Sequence, residues 1–173
     1  MGSRCTVGLR SGRGSGGQRF RQPKARNQPK AQVRAFVITI CDTGPLVAFL
    51  NRNDPYHAWA VALMKQVRPP MLTCESVLTE AVNFLRDDGV DVAPLFELLE
   101  RGALRLDFDL ASHWPRARTL MTRYETMDLA DAEIVVMSEL HRPSRIFTVD
   151  RKDFSLYRRN DRQVIDFVAP PKR

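Results

Sequence analysis

From residue 36 onward the hydrophobic pattern is regular. FVITIC (36–41) is a β-branched apolar run with no polar alternation, which predicts a short strand covered on both faces, as in a parallel sheet. After Asp42-Thr43-Gly44, Pro45 suits the first turn of a helix through PLVAFLN. Asp54-Pro55 opens a second helix with Tyr56, Trp59, Ala60, Leu63 and Val67 on one stripe, and Pro69-Pro70 ends it. MLTC (71–74) reads as a second strand, 75–89 as a helix closing at Gly89, and 91–102 as another helix with a terminal glycine. LRLDFDL (104–110) alternates, with Leu104, Leu106, Phe108 and Leu110 inward, which predicts a half-exposed strand. An amphipathic helix follows over 111–125, begun at Ser112 and Pro115. The helix over 128–140 is apolar nearly all round. RIFTV (145–149) and QVIDFV (163–168) complete the strands. Strands separated by helices of this length predict βαβ units, hence an α/β fold with a mainly parallel sheet of four to five strands flanked by helices.

Composition adds a division of the chain. Residues 1–34 hold seven Arg and two Lys with no acid, so the total charge of +7 leaves residues 35–173 at −2. The basic character belongs to this leader and not to the patterned region. Rich in Gly, Arg, Gln and Pro, the leader cannot bury enough apolar area to offset its ordering entropy, so disorder is expected there. A basic arm that attracts RNA, a targeting peptide and an extension from a start codon placed too early are all open readings. Residues 35–173 are expected to form one domain. No apolar run reaches the roughly 18 residues needed to cross a bilayer. Cys5, Cys41 and Cys74 form no CxxC pair, and the three histidines make no HExxH spacing, which argues against zinc and against a disulfide scaffold. A reduced, cytoplasmic protein is the expectation.

The informative acids are those placed where a charge is costly. Asp42 and Asp150 each follow directly on a buried strand, at the carboxyl ends where open α/β sheets bind ligands. Glu80 lies about 40° from Phe84 and about 60° from Val77 on its helix, at the margin of the apolar stripe. Asp131 sits in a helix whose circumference is almost entirely apolar, and Asp128 shares its side. No Lys or Arg lies within one turn on those faces, and an unpaired buried carboxylate costs several kcal/mol. A buried hydrogen bond or a distant Arg is the ordinary alternative for Asp131 and Glu80, a strand-end turn for Asp42 and Asp150, and a helix N-cap for Asp128. Asp107, Asp109 and Asp166, on the polar phase of strands, read as outward charges.

Converging carboxylates raise each other's pKa values. A hard divalent cation, Mg²⁺ or Mn²⁺, removes that conflict because it takes a few carboxylates plus waters. Such a site suits phosphodiester hydrolysis, where the cation acidifies water and neutralises the scissile phosphate.

Four segments, CDTGPLVAFLNRNDPYH, VLTEAVNFL, MDLADAEIVVMSEL and IFTVDRKDFSLYR, occur in the order and spacing of a known family. With them residues 36–173 resemble the PIN-domain nucleases, in particular the VapC-type toxins of bacterial toxin–antitoxin pairs. The resemblance implies a PIN-like three-layer fold. It makes Asp42, Glu80, Asp131 and Asp150 the catalytic, metal-binding carboxylates, with Asp128 joining them as a ligand in some relatives. Thr43 and Thr148 match hydroxyl positions that orient the cluster. The basic leader departs from the family, whose chains begin almost at the first strand, so a start near Val33 to Val37 is an open expectation.

The resemblance further implies an endoribonuclease toxin using Mg²⁺, with Mn²⁺ as a substitute, a cognate VapB-like antitoxin and a homodimer. Leu46, Val47, Phe49, Leu50, Trp59 and Leu63 are candidates for the antitoxin or dimer surface, with burial in the core the equal alternative for each. Arg52, Arg151, Lys152 and Arg158, with Arg145, Arg159 and Arg162, are candidates for RNA contact that would hold phosphates without reading bases. A non-catalytic RNA-binding or antitoxin-binding module of the same shape is the alternative function. A flap-type DNA nuclease lacks room for its gripping segments here. An aspartyl phosphatase would need a second Asp two positions after Asp42, where Gly44 stands.

Overall fold

The computed structural model describes residues 37–171. The expectations for residues 1–34, for Cys5 and for Phe36 as a strand residue lie outside them. In chain order the elements are β1 (Ile38–Cys41), α1 (Thr43–Leu50), α2 (His57–Met64), β2 (Met71–Thr73), α3 (Glu75–Asp87), α4 (Ala93–Glu100), β3 (Leu104–Leu106), α5 (Leu110–Arg123), α6 (Leu129–Leu140), β4 (Ser144–Phe147), α7 (Arg151–Leu156), β5 (Arg158–Arg159), β6 (Gln163–Val164) and β7 (Phe167–Val168).

Five strands form one parallel sheet in the order β3-β2-β1-β4-β7. This is the expected α/β class, with helices flanking a central sheet. Neighbouring residues on the central strands, Ile40 with Cys41, Leu72 with Thr73, and Ile146 with Phe147, are all buried, so both faces are covered. That explains why these strands read as unbroken apolar runs. The chain moves from β1 to β2 to β3 on one side, then crosses to β4 on the other side of β1. Strand order therefore reverses between β1 and β4, and a crevice opens at their carboxyl ends. The register Cys41↔Phe147 sets Asp42 level with Thr148 one residue beyond each strand.

Helix α6 packs against β1, β4 and α5, and its residues 132–138 are all buried. Helices α3 and α4 stop before Gly89 and Gly102, whose φ angles of 68° and 66° suit the left-handed turn after a helix. Among the described residues no helix is long and apolar enough to cross a membrane. Cys41 and Cys74 are free and buried.

Several boundaries differ from expectation, among them α2, which is shorter than the stretch from Asp54 to Pro69. The strand over 104–110 stops at Leu106, because Asp109 caps α5: its carboxylate accepts from the Ala111 amide at 3.1 Å. Asp109 is thus a cap and not an outward strand charge, whereas Asp166 is exposed and paired with Arg145 at 2.9 Å. The segment 163–168 is two strands. Gln163–Val164 pairs antiparallel with β5, while Phe167–Val168 joins the main sheet. Asn160 and Asp161 turn that hairpin at positive φ, which Asn and Asp tolerate, and Arg116 and Arg123 grip Asp161 at 3.0 Å. Helix α7, absent from the periodicity, is nucleated by Asp150.

Two residues offered as partner surface are core. Leu46 is fully buried and Val47 nearly so, while Phe49, Leu50, Trp59 and Leu63 are half-buried. Their helix leans on α2 and α3, which use up its apolar face. Leu46→Ala is expected to lower the unfolding free energy by about 2–5 kcal/mol. Phe96→Ala, at an exposed position, should change it by less than about 1 kcal/mol. Urea unfolding of the two variants checks the contrast.

Candidate functional site

A cavity of about 410 Å³ opens at the carboxyl ends of β1 and β4. Asp42, Glu80, Asp128, Asp131 and Asp150 all line it, with Asp54 and Asp153 beside them. Each acid is placed by its own element. Asp42 ends β1 and caps α1, its Oδ1 accepting from the Thr43 amide at 2.7 Å. Asp128 caps α6 by accepting from the Asp131 amide at 2.8 Å. Asp150 caps α7 by accepting from the Asp153 amide at 2.9 Å. Three helix N-termini therefore turn their positive ends toward the acidic cavity. The capping alternative raised for Asp128 is realised, and the same carboxylate faces the cavity.

Hydroxyl groups orient the rest. Thr148 donates to Asp42 Oδ2 at 2.7 Å and accepts from the Asp150 amide at 2.9 Å, which ties the two strand-end acids together. Thr43 donates to Glu80 Oε2 at 2.8 Å. Tyr157 donates to Asp131 Oδ2 at 2.8 Å. Gly44 sits where the segment after β1 meets the segment after β4. A Cβ there would come within 2.3 Å of Val149 Cγ2.

The electrostatics register the crowding. Burial pushes Asp131 up to about 8, and the charges of Asp42, Asp128 and Asp150 add to the shift against the Tyr157 hydrogen bond. Burial pushes Asp42 up to about 6, against the bonds from Thr148 and Thr43, and the charges of Glu80 and Asp128 add to it. Glu80 is raised, first by burial and then by Asp128 and Glu133. These groups hold protons that an exposed carboxylate would release, which is the condition a hard cation relieves.

Among the described residues, no three His, Cys, Asp or Glu side chains already stand in the arrangement of a metal site. The carboxylate oxygens are turned to amides and hydroxyls of the protein. The donor set nonetheless fits a hard divalent ion in its chemistry: it is all oxygen, anionic and partly open to water.

Of the residues proposed for RNA contact, Arg52, Arg151, Lys152 and Arg158 are absent from the cavity lining. Arg151 donates to the Ala169 and Pro170 carbonyls, and Arg158 to those of Ser155, Leu156 and Tyr157. Both thus serve the fold around α7, while Arg52 and Lys152 are exposed. Arg145 and Arg159 lie toward the other end of the sheet, by the Ser144 start of β4. Three participants escaped the sequence reading. Tyr157 reaches Asp131 from 26 residues away, a contact only the fold makes. Asp153 was legible one turn after Asp150. Glu133, 2% exposed with Oε2 unpartnered, stands inside the apolar helix, and its charge helps raise Glu80.

Neither the protein-family models nor the curated proteins compared with the chain match it.

Because folding raises these carboxyl pKa values, stability should be full below the unfolded range near pH 4 and decline as pH rises through about 6 and about 8. Asp131→Asn is expected to remove the upper part of that decline and raise cation-free stability at alkaline pH by about 1–3 kcal/mol. Thermal unfolding in EDTA across pH checks both. Gly44→Ala should lower stability by about 1–3 kcal/mol, and adding Val149→Ala should restore part of it, as a double-mutant cycle measures.

Proposed function

We propose that this protein is a divalent-cation-dependent endoribonuclease that hydrolyses RNA phosphodiester bonds. The reading rests above all on one observation: five carboxylates from four separate segments line one cavity at the point where strand order reverses. The likeness of the four motifs to PIN-domain, VapC-type toxins adds the substrate class and the biological setting. In that setting the protein is the toxin of a toxin–antitoxin pair in the cytoplasm, held in check by a VapB-like antitoxin and acting as a homodimer.

Asp42, Glu80, Asp131 and Asp150 would hold Mg²⁺ or Mn²⁺, with Asp128 at the cavity mouth. The bound cation would neutralise the scissile phosphate and make water more acidic. The protein's own groups do the positioning. Thr148 fixes Asp42 and the backbone of Asp150 with one hydroxyl, Thr43 turns Glu80, and Tyr157 turns Asp131. Exposed Arg52 and Lys152 are the candidates for backbone phosphate contact.

A second reading has its own support: the carboxylates are engaged by hydroxyls and amides of the protein. In that reading the acidic cavity receives a cationic side chain of a partner and performs no chemistry.

With Mg²⁺ and a structured RNA, the purified full chain is expected to cleave internally, and EDTA to stop it. Asp42→Asn and Asp131→Asn should each lower the rate about 100-fold or more with the circular dichroism spectrum unchanged. Cleavage that survives in either variant, or is indifferent to EDTA, defeats the proposal. Tight partner binding with no cleavage in any divalent cation establishes the second reading.

A further inference from the structure

The end of the sheet opposite the carboxylates carries the reverse charge. A pocket of about 450 Å³ there is lined by Val37, Arg142, Ser144, Arg159, Gln163 and Asp166. Val37 and Ser144 mark the amino ends of β1 and β4, so this pocket shares nothing with the acidic cavity. Arg159 is 8% exposed, a buried guanidinium. Its Nη1 donates to the Ser138 carbonyl at 3.1 Å, in the last turn of α6, and its Nε has no partner. One bond to a helix end uses one of five donors. Arg142 stands exposed nearby, and its charge adds to burial in weakening Arg159's hold on its proton.

Among the described residues neither guanidinium has a carboxylate within 4.0 Å. The two acids nearest in charge are already taken. Asp166 pairs with Arg145 at 2.9 Å, and Glu139 holds Arg116 at 2.8 Å. Two like charges thus share a concave site, one of them buried, and Asp166 and Glu139 act on Arg159 only from a distance while paired elsewhere. Such an arrangement is costly for a protein to keep unless an anion completes it. Paired guanidiniums match the oxygens of a tetrahedral oxyanion, which takes several directed donors at once.

We propose that Arg142 and Arg159 form a phosphate-binding site at the amino end of the sheet. The phosphate is either the free ion or one in an RNA backbone. The second source rests on the nuclease reading; the first does not. Residues 1–34 add nine positive charges and no acid to the sequence, which gives the chain as a whole an attraction for polyanions.

The test uses the full chain in EDTA, so that no divalent cation enters. About 20 mM potassium phosphate is expected to raise the wild-type unfolding midpoint by about 3 °C more than potassium chloride of equal ionic strength. Arg142→Gln, at an exposed position, should lose at least half of that difference. Arg159→Lys tests the buried member while keeping its charge, and should lose it as well. No phosphate effect beyond chloride, or an undiminished effect in Arg142→Gln, overturns the proposal. A short single-stranded RNA identifies the source. Displacement of phosphate by RNA, with about tenfold weaker RNA binding in Arg142→Gln, assigns the site to backbone phosphate. RNA binding untouched by Arg142→Gln assigns it to the free ion. The phosphate-over-chloride difference requires no cleavage and no divalent cation, so failure of the nuclease reading leaves the phosphate result standing.

Discussion

Asp42 is a carboxylate almost out of reach of water, at the end of the central strand of a parallel sheet. Two short hydrogen bonds hold it, one from the Thr148 hydroxyl across the β1–β4 pairing and one from the amide of the next residue, Thr43. Burying that group unpaired would cost several kcal/mol. The β1–β4 register supplies Thr148 at the right level, and the start of α1 supplies Thr43. The same two threonines then reach Asp150 and Glu80. One bonded carboxylate therefore sets the relative position of three of the acids, and Asp131 arrives on α6, packed behind β1 and β4.

The other feature of the site is that its charges stay partly unresolved. Three helix caps and three hydroxyl donors offset some of the repulsion. Asp42 and Asp131 still lie well above ordinary carboxylates, burial being the first cause in each. A fold selected for stability alone would place apolar groups there. At the opposite end of the sheet, Arg142 and Arg159 present the mirror case, positive charges beside acids that are paired elsewhere. The molecule holds opposite charges at the two ends of β1 and β4, each short of compensation.

Much of this was legible from residue pattern. FVITIC and RIFTV could be read as buried strands because both their faces are covered, which removes the polar alternation. The all-round apolarity of 129–140 gave α6, and with it the anomaly of Asp131. What local pattern missed was decided by tertiary contacts or single capping bonds. LRLDFDL alternates through Leu110, yet the Asp109 cap starts a helix and ends the strand at Leu106. QVIDFV has the composition of one strand, but a hairpin pinned by Arg116 and Arg123 takes its first half. Leu46 and Val47 were open to either a partner surface or the core, and the packing of α1 on α2 and α3 decides for the core. Tyr157 had no local signal at all, because its importance lies in the distant acid it reaches, whereas Glu133 carried the same signal as Asp131, a charge inside an apolar helix.

The most direct measurement follows Mn²⁺ into the protein. Amide spectra of ¹⁵N-labelled full chain, recorded at rising substoichiometric Mn²⁺, report which residues approach the ion through paramagnetic broadening. The signals of Thr43, Glu80, Asp131 and Asp150 are expected to vanish first and together, while those near Arg142 persist. Broadening spread evenly over exposed acids, or centred on acids outside the cavity such as Asp87 and Glu97, contradicts a shared cation site.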